Sequence, residues 1–172
     1  MYRWAACPGS VREAAKAPKS VSSAYAEEGS DAHALAAYCL ERGEYSSASH
    51  IGEKMEVDDR SFTPDKDMTD AVDVYINHLF DECSGDGNEQ SFIEHGFDLS
   101  SIHEGCFGTA DHVRWHPATK TLTVTDYKHG AGLPVEVENN KQLLYYGLGA
   151  LVTLGLPAKT VKLTIVQPRC EH

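Results

Sequence analysis

The feature that most constrains the fold is a change of period near residue 84. Upstream, in TPDKDMTDAVDVYINHLFDEC, residues Met68, Val72, Tyr75, Ile76, Leu79 and Phe80 recur at helical spacing, with Pro64 near the start. A loop, SGDGN, then intervenes, and the period becomes two. QSFIEHGFDL and CFGTADHVRW are predicted strands, and HPATK turns the chain into a further strand, TLTVTDYK. The last two form an antiparallel hairpin. ENNKQLLYYGLGALVTLG reverts to a helix, and TVKLTIVQP closes as a strand. Upstream, EEGSDAHALAAYCLERG is a helix with Ser30 or Asp31 as its cap and Gly43 as its end. A helix lying between strands calls for an α/β domain with a central mixed sheet flanked by helices.

The length of 172 residues fits one domain, residues 1–172. No apolar run approaches the roughly 18 to 20 residues of a membrane span, and MYRWAACPGS lacks the apolar segment of a signal peptide. A cytoplasmic protein without a membrane partner is expected. The first twenty residues are expected to be a loop or short helix. Cys7, Cys39, Cys83, Cys106 and Cys170 include no CxxC pair, which argues against a disulfide framework or a zinc ribbon. The net charge of −11 weighs against a nucleic-acid partner until its distribution is considered. Residues 53–104 carry 15 acidic against 3 basic side chains, so the acidity belongs to one stretch and a neutral or basic groove can exist elsewhere.

In TLTVTDYK the side chains two apart share a face, so Asp126 and Lys128 lie with Leu122 and Val124. By itself, Asp-x-Lys is ordinarily a salt bridge at a strand end. The hairpin partner brings Asp111, on the face of Val113 and Trp115. Two converging carboxylates raise each other's pKa unless a cation lies between them, and Mg²⁺ or Mn²⁺ is the natural choice for oxygen donors. Lys128 is then placed to orient or deprotonate a water, or to neutralise charge on a phosphate. His33, Ala37 and Leu40 share a stripe on the first helix, where a histidine is ordinarily a packing residue.

Gly29 and His33, then Gly108-Thr109-Ala110-Asp111, then Asp126-Tyr127-Lys128, then Gln142 and Tyr146 follow one another in the chain. This order resembles the RecB-like branch of the PD-(D/E)xK nuclease superfamily, with its helical histidine, GxxD strand, (D/E)xK strand and QxxxY helix. RWAACPGS, YAEEGSDAH, DYKHGAGLPVEVENNKQLLYYGLGAL and the closing QPR are similar to a phage and prophage group of exonucleases in that superfamily.

The resemblance implies a restriction-endonuclease-like core. It makes His33, Asp111, Asp126 and the Tyr127 backbone carbonyl metal ligands for Mg²⁺ or Mn²⁺, with imidazole favouring manganese. Asp111, Asp126 and Lys128 become the catalytic set. Gln142 and Tyr146, four apart on one helix face, would touch DNA or support the lysine. Glu28 is an accessory candidate, for an outer contact or a second metal. An iron–sulfur cluster is not expected, because after Cys7 only Cys170 stands near the C-terminus. Members of the phage group continue past QPR, so a short or C-terminally truncated chain is expected.

The function so implied is a metal-dependent DNA exonuclease of phage-type recombination or DNA processing, acting in the cytoplasm of a bacterial host. Its substrate would be a DNA single strand or duplex end, and its partner a phage recombinase or single-strand-binding protein. The alternative is a catalytically dormant nuclease fold that binds DNA or assists assembly. A zinc hydrolase is set aside, since the histidines show neither HExxH nor another ligand spacing.

Overall fold

In the computed structural model, which describes residues 13, 16, 23–57, 60–85 and 87–170, the first helix begins before its apolar stripe does. Helix α1 spans Ala24–Arg42, and its cap is Ser23, whose side chain accepts from the Ala26 amide. Ser30 and Asp31, expected as caps, lie inside the helix: Ser30 Oγ donates to the Ala26 carbonyl, and Asp31 pairs with Arg60. The expectation failed because the first turn carries little apolar signal, its Tyr25 being 86 % exposed. Gly43 does end the helix, at φ 69°.

The connection after α1 is more structured than its polarity implied. It holds a short 3₁₀ turn, Ala48–His50, and an antiparallel ribbon of β1 (Met55–Val57) and β2 (Arg60–Phe62). Helix α2, Lys66–Asp81, is capped by Asp65. The strands expected downstream are β3 (Gln90–Asp98), β4 (Phe107–His116) and β5 (Thr121–Tyr127), followed by helix α3 (Lys141–Leu154) and β6 (Thr160–Val166). Cys7 and most of the first twenty residues lie outside the described residues.

The main sheet runs β3-β4-β5-β6. β3, β4 and β5 pair antiparallel, whereas β5 and β6 pair parallel, so the sheet is mixed and α3 is the crossover that a parallel pair requires. Two cores sandwich it. On one face Tyr127 and Val166 pack against Leu35, Val72, Ile76 and Leu79 from α1 and α2. On the other, Phe97, Val113, Trp115, Leu122 and Val124 pack against Ala150 of α3. The alternation within β5 produces this division, with Leu122 and Val124 on one face and Tyr127 on the other.

Helix α3 lies unusually close to the sheet. A methyl group at Gly149 would stand 2.4 Å from the Phe97 ring, and one at Gly147 would stand 3.0 Å from Leu163. Glycine at 149 is therefore a packing requirement, and at 147 a methyl group would fit only if Leu163 gave way slightly. Among the described residues, no helix is long and apolar enough to cross a membrane.

Candidate active site

The strand register assembles the site. β4 and β5 pair His112 with Thr125, so one further step sets Asp111 beside Asp126. β3 and β4 pair Ile93 with His112 and His95 with Ala110, and between those pairs Glu94 stands opposite Asp111. Three carboxylates thus form a row across three adjacent strands. Glu94, with φ 46°, departs from extended backbone at this point. His33 reaches the row from α1, its Nδ1 3.4 Å from Asp111 Oδ1 and 3.9 Å from Glu94 Oε1. Donor atoms of His33, Glu94 and Asp111 all lie within 4.8 Å of one another.

The other predicted residues surround this row. Asp111 Oδ2 accepts from the Tyr127 amide at 2.7 Å, which orients the carboxylate. A strand residue turns its N–H and C=O to the same side, so the Tyr127 carbonyl faces the Asp111 side too. The next amide, that of Lys128, points the other way and donates to the Val166 carbonyl of β6 at 2.9 Å. Lys128 Nζ pairs with Asp126 Oδ2 at 2.6 Å and donates to Gln142 Oε1 at 3.4 Å. Gln142 Nε2 in turn donates to Tyr146 Oη at 2.7 Å. The QxxxY pair therefore supports the lysine, because the Tyr146 bond leaves the amide oxygen facing Nζ.

Glu28 is placed elsewhere. Its Oε1 accepts from Arg169 Nη1 at 2.5 Å and lies 3.3 Å from His129 Nε2, joining α1 to the segment after β6. The structure gives it no contact with the carboxylate row, so its part is that of a tie between elements. The arginine of QPR is its partner.

The electrostatics are those of an anionic site short of positive charge. Asp126 is 2 % exposed, and burial first, then the Asp111 charge, push its pKa up to about 6, although Lys128 opposes this. Glu94 is pushed up to about 7 by burial and then by Asp111, even though 42 % of its side chain is exposed. Burial works against a proton on His33, but its bond to Asp111 and the charges of Asp111, Glu94 and Asp126 prevail and raise its pKa. Each of these shifts would be relieved by a cation among the oxygens. The donor set of carboxylates, one imidazole and one carbonyl suits Mg²⁺ or Mn²⁺.

Glu94 was missed from the sequence. It lies in the acidic stretch that reads as a solvated face, and only the pairing of β3 with β4 reveals its place beside Asp111. The signal that could have found it is the Asp111 position counted back across the β3–β4 connection. A groove of 570 Å³ reaches the row, lined by Gly29, Ser30, His33 and Ala37 of α1 together with Val57 and Glu94. The small side chains of α1 leave this approach open.

A family model described as Protein of unknown function (DUF2800) matches residues 1–172, and the chain belongs to that family. No solved structure matches it.

Proposed function

We propose that this member of the DUF2800 family is a metal-dependent deoxyribonuclease, an exonuclease of the RecB-like PD-(D/E)xK type that hydrolyses phosphodiester bonds in phage-type recombination or DNA processing. The observation that carries the reading is the row Glu94, Asp111 and Asp126, met by His33 from α1 and flanked by Lys128. His33, Asp111, Asp126 and the Tyr127 carbonyl would hold Mg²⁺ or Mn²⁺, with Glu94 as an additional carboxylate. When bound, such a cation polarises a phosphoryl oxygen and makes a water acidic enough to attack at neutral pH.

The chain's own residues supply the rest. Lys128 places a positive charge beside the row, where it can orient the attacking water and offset charge that builds on the phosphate oxygens. Gln142, fixed by Tyr146, holds the ammonium on the site side. The Tyr127 amide keeps Asp111 aimed at the row. The groove beside His33 gives a nucleic-acid strand a path to these groups. A DNA single strand or duplex end is the substrate this reading requires, with a phage recombinase or single-strand-binding protein as a partner in the bacterial cytoplasm.

The test is cleavage of end-labelled single- and double-stranded DNA with Mg²⁺, Mn²⁺ or EDTA, by the wild type, Asp126→Ala and Lys128→Ala. Metal-dependent shortening from one end, lost in both variants, is expected. Equal cleavage by all three proteins would sink the assignment. A wild type that binds DNA but never cuts it would leave the DNA-binding or assembly module as the function.

A further inference from the structure

The mechanism above leaves a second donor cluster unused, at the opposite end of α1. Cys39, Glu44 and His50 bring a sulfur, a carboxylate oxygen and a ring nitrogen within 4.8 Å of one another. The backbone builds this cluster. After left-handed Gly43 the chain doubles back, and the Glu44 amide donates to the Cys39 carbonyl at 2.9 Å, which sets residue 44 over residue 39. The following residues are pinned to α2. Ser46 Oγ and Ser47 Oγ bond the Asp73 carboxylate at 2.6 and 2.7 Å, and the 3₁₀ turn then delivers His50.

The histidine is poised as metal-bound histidines are. Its side chain is only 10 % exposed, and its Nδ1 lies 2.7 Å from Glu53 Oε2. A carboxylate on Nδ1 holds that proton in place and leaves Nε2 as the ligand atom, the usual outer support of a histidine on a metal. Nε2 points at Glu44 Oε2, 2.8 Å away, and donates to it a proton that a bound cation would displace. The Tyr38 ring meets His50 edge-on at 5.2 Å and is itself held by the Arg42 guanidinium, 3.8 Å from its centre, so the imidazole has little room to turn.

We propose that Cys39, Glu44 and His50 bind a zinc-type divalent cation, at a site chemically distinct from the carboxylate row. A thiolate and an imidazole select zinc or cobalt over magnesium, which prefers oxygen alone. One thiolate, one carboxylate and a neutral imidazole balance a doubly charged ion. The three protein donors leave a fourth tetrahedral position for water, on the side where Glu44 is part-exposed. The ion would fasten the end of α1 to the returning loop, and α1 also carries His33.

The experiment is a titration of the metal-free full chain with Co²⁺, which reports a sulfur ligand through a thiolate-to-cobalt charge-transfer band. One equivalent should produce the band, and Zn²⁺ should abolish it. Asp111→Ala should keep it, whereas Cys39→Ser should lose it. Glu53→Gln changes a side chain that is half-exposed, so the fold is retained, and it should weaken cobalt binding by about 10-fold or more. Absence of the band in the wild type, or an undiminished band in Cys39→Ser, overturns the site. If Cys39→Ser does not fold, Glu53→Gln decides: unchanged cobalt affinity in that variant also overturns it.

Discussion

Helix α1 serves two clusters of opposite character. The row it meets through His33 is built of carboxylates on sheet strands, where burial first and the Asp111 charge second raise the pKa values of Glu94 and Asp126. The cluster at its other end settles its own charge among neutral and paired groups. There His50 lies between Glu44 and Glu53, while burial first and the Glu44 charge second push the Cys39 thiol up to about 12. The row is therefore strained without a cation, whereas the helix-end cluster is stable without one and binds by exchanging protons for metal. The contrast teaches that donor proximity alone does not distinguish a catalytic site from a fastening one. The sign and size of the uncompensated charge do.

The largest expected effect would break the comparison on the sheet side. Asp126→Ala should lower DNA cleavage by about 10³-fold, the order seen when a central electrostatic group of an active site is removed, and leave the cobalt band of the helix-end cluster intact. End-labelled DNA and absorption spectra on the same preparation check both.

The next concerns metal-free stability against pH. Asp126 moves from its ordinary 3.8 to about 6 on folding, so between those pH values the folded chain holds a proton that the unfolded chain has released. Stability therefore falls as pH rises through that window, by on the order of 3 kcal/mol for so buried a group. Urea unfolding in EDTA at pH 4 and pH 7 should show the decline, and Asp126→Asn should flatten it. Added Mn²⁺ should reverse it at pH 7, because the cation binds the deprotonated carboxylates.

A smaller effect separates the packing under each region. Gly149→Ala forces a methyl group into the Phe97 ring and should cost about 1–3 kcal/mol. It should also slow cleavage, since α3 carries Gln142 and Tyr146, yet leave the cobalt affinity unchanged. Thermal melts and single-turnover cleavage measure the two parts. The smallest effect sharpens the division along α1 itself: Ser23→Ala removes the cap at the helix start and should cost about 1 kcal/mol. Hydrogen exchange should quicken near residues 24–28 and remain unaltered near residues 38–42.

Much of this was legible in the sequence, and the exceptions have physical causes. The period change located β3, β4 and β5 to within a residue or two, because each has one alternating apolar set and clear turn residues. Asp111, Asp126, Lys128, Gln142 and Tyr146 were found by their order in the chain, and the structure brings them together. Glu94 was not found, since a carboxylate becomes interpretable only when its cross-strand neighbour is known. The β1–β2 ribbon was hidden by its length of three residues per strand, too short for a period to declare itself. The start of α1 was misread because a cap needs only one hydroxyl, and an exposed first turn leaves no apolar trace. The Cys39 cluster escaped notice because its spacing matches no zinc motif; it depends on a helix-ending backbone turn.

Glu94 differs from its two companions in where it is anchored. Asp111 and Asp126 sit on strands bonded on both sides, whereas Glu94 sits on β3, which among the described residues has a neighbour on one side only and bends out of the extended conformation at that residue. Of the three carboxylates it is the least enclosed, with 42 % of its side chain exposed against 13 % for Asp111 and 2 % for Asp126. Two members of the row are thus held between neighbouring strands, and the third stands at the sheet's margin, where it borders the groove beside His33.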